Sequence, residues 1–147
     1  MYTTFKILHS YWAYLVLLIL VLATFNALIK SFGKKEYHAK DFRISLFTLI
    51  VSHIQLILAV VLFFTADYIS LIQEMGMGEI MKNSTLRSNI LEHPLTMIIA
   101  IALITIGYSK HKKKLTSAAK FKTIAIFYTI ALLLVLAKIP WKVWFNS

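Results

Sequence analysis

Residues 44–68 read ISLFTLIVSHIQLILAVVLFFTADY, and this stretch decides the fold. From Ile44 to Ala66 it carries no Asp, Glu, Lys or Arg. About 20 apolar residues suffice to carry a helix across the ~30 Å hydrocarbon core of a bilayer. Backbone in lipid has to satisfy its own hydrogen bonds, so the stretch is a helix rather than an open strand. Three more stretches read the same way: His9–Ile29, Ile90–Tyr108 and Phe121–Ala137, the last with Trp141 and Trp144 just beyond it. Composition agrees. The 147 residues are 59% apolar and 15% charged, whereas a soluble domain carries about 25% charged residues. The expected fold is all-α: one integral-membrane domain over 1–147, an up-down-up-down four-helix bundle. Its helices are expected at about 5–30, 43–68, 86–109 and 120–140, with a connector over 69–85. The first stretch lacks the basic leader and small-residue cleavage site of a signal peptide, so it is expected to stay as a helix.

Charge in the connectors orients the bundle. Residues 30–43 hold Lys30, Lys34, Lys35, Lys40 and Arg43 against Glu36 and Asp41, a net of +3. Residues 110–122 hold Lys110, Lys112, Lys113, Lys114, Lys120 and Lys122 and no acid, a net of +6. Residues 67–92 hold Asp67, Glu74, Glu79 and Glu92 against Lys82 and Arg87, a net of −2. Lysine and arginine mark the cytoplasmic side. Both short loops are therefore expected in the cytoplasm, with both termini and the connector outside, in the periplasm of a bacterial inner membrane. The overall net charge of +10 is explained by these loops. Nucleic acid is not an expected partner, because no polar module is left to carry a basic face. Tyr11, Trp12, Tyr14, Tyr68, Tyr108, Trp141 and Trp144 fall near expected helix ends, as an interfacial aromatic belt would. The connector alternates apolar and polar residues and reads as an interfacial amphipathic helix interrupted at Gly76 and Gly78. Asn83, Ser84 or Thr85 suits the cap of the next helix. Ala39-Lys40-Asp41-Phe42-Arg43 and Ala119-Lys120-Phe121-Lys122 precede similar apolar runs, a faint sign of a repeated hairpin.

With no cysteine in the chain, disulfides, zinc–thiolate sites, iron–sulfur clusters and thiol nucleophiles are excluded. No glycine-rich phosphate loop, zinc-protease helix or nucleophile elbow is present. Chemistry therefore rests on histidine. His38 and His111 fall in the basic loops and read as solvated. His9, His53 and His93 fall in or beside apolar helices, where ionisable groups are costly and suggest function. Measured from the basic end, they stand at ~31, ~15 and ~25 Å. Helix tilt absorbs the gaps, so His9–His93 and His53–His93 both remain as ligand pairs for one haem iron. His93, Met97, Ala100, Ile104 and Gly107 form one helical stripe, on which Ala100 and Gly107 leave room for a cofactor. His9, Ala13, Val16, Leu20, Ala23 and Ala27 form another. Ser45, Thr48, Ser52, Gln55 and Ala59 make a polar, small face pointing away from His53, suited to packing. Such stripes also serve simple helix packing. Glu92-His93-Pro94 places His93 at a kink or helix start, with Glu92 available to orient its ring. Met75, Met77, Met81 and Met97 with His93 offer a minor alternative, a copper site. The competing function is that of a non-catalytic subunit or assembly factor whose histidines only join helices.

His9-Ser10, Ser52-His53-Ile54-Gln55, Glu92-His93-Pro94-Leu95, Ile106-Gly107-Tyr108-Ser109-Lys110 and Phe127-Tyr128-Thr129-Ile130-Ala131 together give the chain a resemblance. It resembles small four-helix membrane proteins of Bacteroidetes-type bacteria usually labelled "cytochrome B", over nearly its whole length. The resemblance implies b-type haem, bis-histidine ligation by residues among His9, His53 and His93, and electron transfer beside a quinol chain, a periplasmic redox partner or a larger membrane complex. Two positions depart from the group's pattern. Tyr11 stands where an arginine usually precedes the first tryptophan, and Phe121 stands at the start of the fourth helix where a histidine is usual. If that histidine serves a second haem, this chain holds one.

Overall fold

The computed structural model describes residues 1–139; Trp141 and Trp144 lie outside the described residues. The chain is all-α. In order, its helices are α1 (Tyr2–Phe32), α2 (Ala39–Thr65), α3 (Tyr68–Met75), α4 (Met77–Lys82), α5 (Ser84–Arg87), a π turn (Ser88–Glu92), α6 (His93–Lys112) and α7 (Ser117–Lys138). Four helical stretches are long and apolar enough to cross a membrane: α1, α2, Ser84–Lys112 and α7. Their hydropathy, together with the large side chains they expose, such as Phe25, Ile57, Phe64 and Leu133, fits a bilayer rather than water as solvent.

The helices are longer than the charge pattern suggested. α2 begins at Ala39, not near 43, because Asp41 reaches back and accepts a hydrogen bond from the His38 amide at 2.9 Å. That hook satisfies one of the otherwise unpaired donors of a helix start. α6 continues to Lys112 rather than ending near 109. In the connector the helix breaks at Gly76, with φ 79°, a left-handed conformation suited to glycine, and again at Asn83, which is extended. α4 runs through Gly78. Asn83 caps α5, its side chain accepting from the amides of Thr85 and Leu86 at 3.1 Å.

α1 packs on α2 and α7, and α6 packs on α7 and, over a smaller area, on α2. α1 and α6 therefore face each other diagonally across the bundle. The two basic loops meet at one end, where the Tyr37 amide donates to Ser117 Oγ at 2.9 Å. The α1 N-terminus, the α3–α5 connector and the α7 C-terminus gather at the other. There, burial and the nearby Tyr2 phenol push the Tyr68 hydroxyl above its ordinary pKa.

The core is lopsided. On the four long helices the buried residues are Leu20, Ala23, Thr24 and Ala27 of α1, Asp41 to Ser52 of α2, Ala100 to His111 of α6 and Phe121 to Leu132 of α7. Those of α1 and α2 lie in the half nearer the basic loops, whereas Ala100 of α6 and Tyr128, Ala131 and Leu132 of α7 lie past the middle of their helices. No residue of α1 before Leu20 or of α2 after Ser52 is fully buried.

Gly107 shows how close the packing is in that half. A Cβ on it would stand 2.4 Å from Phe127 Cβ. The glycine lets α6 and α7 approach, and the Phe127 side chain fills the space beside it. Gly107→Val is expected to destabilise the bundle by about 1–3 kcal/mol through overpacking. Thermal unfolding in detergent checks this; an unchanged midpoint would mean the helices separate freely there.

Candidate two-histidine site

The three membrane histidines part company in the structure. His53 lies on an exposed face of α2 and is bonded across to α6, with its Nε2 2.9 Å from Thr105 Oγ1. The Thr105 hydroxyl spends its own proton on the Ile101 carbonyl at 2.8 Å. The oxygen therefore accepts, and His53 Nε2–H donates. His53 Nε2 is committed to joining two helices, and the remaining lone pair, on Nδ1, belongs to a ring on an exposed face.

His9 and His93 come together. Both are half-buried on inward stripes of the diagonal helices α1 and α6. Their ring centroids lie 6.5 Å apart with the planes at 81°. The π turn sets the direction of His93. Its amide donates to Ser88 O, five residues back, just before Pro94, which has no amide proton. Insertions of this kind frequently mark functional sites.

The tautomer of His93 follows from its partner. Its Nδ1 lies 2.8 Å from the Lys138 carbonyl, which can only accept. Nδ1 therefore carries the proton, and Nε2 holds a free lone pair. This arrangement orients a ligating imidazole and raises its basicity. Glu92, the expected orienting carboxylate, does something else: it pairs with Arg87 at 3.0 Å and with Lys138 at 3.5 Å. Glu92 thus ties the end of α7 to the start of α6, and the backbone of α7 orients the ring. On His9, Nδ1 is buried without a hydrogen-bond partner. α1 is held beside α2 by Gln55 Nε2, donating to the His9 carbonyl at 3.0 Å, and by Trp12 Nε1, donating to the Val51 carbonyl at 2.8 Å. Trp12 is therefore fixed between helices rather than free at the interface.

Among the described residues no group of three or more histidine or acidic side chains could hold a metal ion. A pair of imidazoles suits instead an ion that brings its own in-plane donors, as haem iron does. Met97, one turn beyond His93 on the same stripe, is half-buried, and Ala100 is fully buried. Met75, Met77 and Met81 stand exposed on α3 and α4.

His111 corrects the sequence reading. It is fully buried, not solvated. Its Nδ1 donates to the Tyr108 carbonyl, and its Nε2 accepts from the Tyr37 hydroxyl at 2.7 Å. Burial, with Asp41 and Tyr108 nearby, raises the pKa of the Tyr37 phenol, which keeps its proton for this bond. Both ring nitrogens are satisfied, and His111 locks the two basic loops together. Tyr108 is buried beside it rather than lying in a belt.

Fold and site define a class: a multi-pass α-helical membrane protein with two apposed imidazoles between diagonal helices. No family model, curated protein or solved structure matches the chain.

Proposed function

We propose that the protein is a small b-type cytochrome of a bacterial inner membrane, with its basic loops in the cytoplasm, carrying electrons between a quinol pool and a periplasmic acceptor or a larger membrane complex. The observation that carries this reading is the meeting of His9 and His93, two half-buried imidazoles on diagonal helices, at the end of the bundle away from the basic loops. His93 Nε2 and a ring nitrogen of His9 would hold the haem from α1 and α6. Bound there, haem supplies a one-electron couple whose potential depends on its ligands and on burial. The chain's own part is mechanical and electrostatic. The Lys138 carbonyl holds the His93 tautomer, the Glu92 clamp holds α7 in place to do so, and the apolar helices exclude water. The separation of Gly107 from this pair, and the Phe127 ring packed on it, favour helix packing as its role.

A second reading has specific support. His53–Thr105 and His93–Lys138 are both interhelical hydrogen bonds, each worth on the order of 1 kcal/mol in a membrane bundle. In that reading the chain is a packing subunit or assembly factor. A reduced-minus-oxidised spectrum of protein purified with haem supplied during expression separates the two. A sharp low-spin α-band is expected for the cytochrome, and no band for the packing subunit.

A further inference from the structure

A groove of about 510 Å³ opens on the outer face between α1 and α2, at the basic-loop end. Its walls are Leu22, Phe25 and Ile29 of α1 and Ile44 and Phe47 of α2, and Lys40 stands at its mouth. From Ile19 to Ile29 it runs ten residues along α1, or ~15 Å at the helical rise. That is the depth of one leaflet, half the ~30 Å hydrocarbon core. The groove therefore has the length of a single leaflet's acyl chain, a charged mouth and an apolar floor.

The charge at the mouth is uncompensated. Asp41, next to Lys40 in sequence, is buried and already held by Lys30, by Asn26 Nδ2 at 2.9 Å and by the His38 amide. Lys40 is exposed and makes no ion pair among the described residues. It also sits in the first turn of α2, where the helix dipole adds positive potential. A phosphate at that height would meet a free ammonium group, while an acyl chain below it covers the exposed faces of Phe25, Ile29 and Phe47.

We propose that this α1–α2 groove is a binding site for an anionic phospholipid of the leaflet at the basic-loop end, with its phosphate on Lys40 and one acyl chain along Phe25, Ile29 and Phe47. The site is independent of haem. It differs from general attraction to an anionic surface in that one lysine over one groove carries the preference.

Phe47→Trp sets a fluorophore on the groove wall. The full-length protein is reconstituted in phosphatidylcholine vesicles containing a fixed fraction of either brominated phosphatidylglycerol or brominated phosphatidylcholine. Quenching of the added fluorescence, above that of the parent protein, reports which lipid lies in the groove. The expected result is a roughly fivefold enrichment of phosphatidylglycerol over phosphatidylcholine, the share of one lysine near the surface. Adding Lys40→Gln should abolish the preference, whereas Lys114→Gln, in the loop before α7, should leave it intact. Equal quenching by the two lipids would overturn the proposal. So would equal losses from Lys40→Gln and Lys114→Gln, since diffuse loop charge would then account for the preference.

Discussion

Asp41→Ala is expected to be among the most destabilising single substitutions in the chain. Asp41 is 1% exposed and faces Lys30, which is 28% exposed. Removing the carboxylate leaves the Lys30 ammonium and the Asn26 amide without their shared acceptor and frees the His38 amide at the start of α2. Breaking a buried ion pair from one side costs on the order of 3–5 kcal/mol, because the remaining charge is stranded. Removing both charges should cost less. Lys30→Met combined with Asp41→Leu is expected to recover part of the loss, though not the contribution of the cap, which is about 1 kcal/mol. Resistance to heating in detergent, followed by helix content, measures all three proteins. If the double variant is no more stable than Asp41→Ala, the stranded charge is not the cause and the cap carries the effect.

The second large effect falls on haem retention. In the proposed cytochrome, His93→Ala would remove one of the two imidazoles that hold the haem and is expected to abolish the low-spin band outright. His53→Ala should leave the band in place, because His53 Nε2 is committed to Thr105 and its ring stands on an exposed face. Its cost should be confined to one interhelical hydrogen bond, on the order of 1 kcal/mol. Loss of the band in His53→Ala with the fold retained would restore the His53–His93 pairing that the sequence alone left open.

The helices are legible because lipid demands long uninterrupted apolar runs, and the chain has four. Their ends are less so. A charged residue such as Lys40 reads as loop beside an apolar run, although it lies inside α2. Yet Asp41, three residues after His38, carries the signature of a helix start. His111 was misread for the same reason. The stripe Ala100, Ile104, Gly107 continues to His111 at helical spacing, and all four are buried. Extending the stripe one turn past the first lysine would have placed it inside.

Less of the site was legible, and the reasons are physical. Depth along a helix is computable from the rise, but the direction of a side chain depends on the helix it faces. The π turn before Pro94 shifts the register of everything N-terminal to it, which no regular 3.6-residue projection captures. That α1 and α6 are diagonal, that Lys138 offers its carbonyl to His93, and that Thr105 takes up His53 are properties of packing between distant segments. Small residues carry the same ambiguity. Ala100 and Gly107 suggested room for a cofactor, but Phe127 fills the space beside Gly107.

His9 separates the proposed pair from every other arrangement, so the most direct measurement is the reduced-minus-oxidised spectrum of the purified protein beside that of His9→Ala, both made with haem supplied. One low-spin haem per chain is expected in the first and no low-spin band in the second. A wild-type protein without the band, or a His9→Ala protein with the band undiminished, would contradict it.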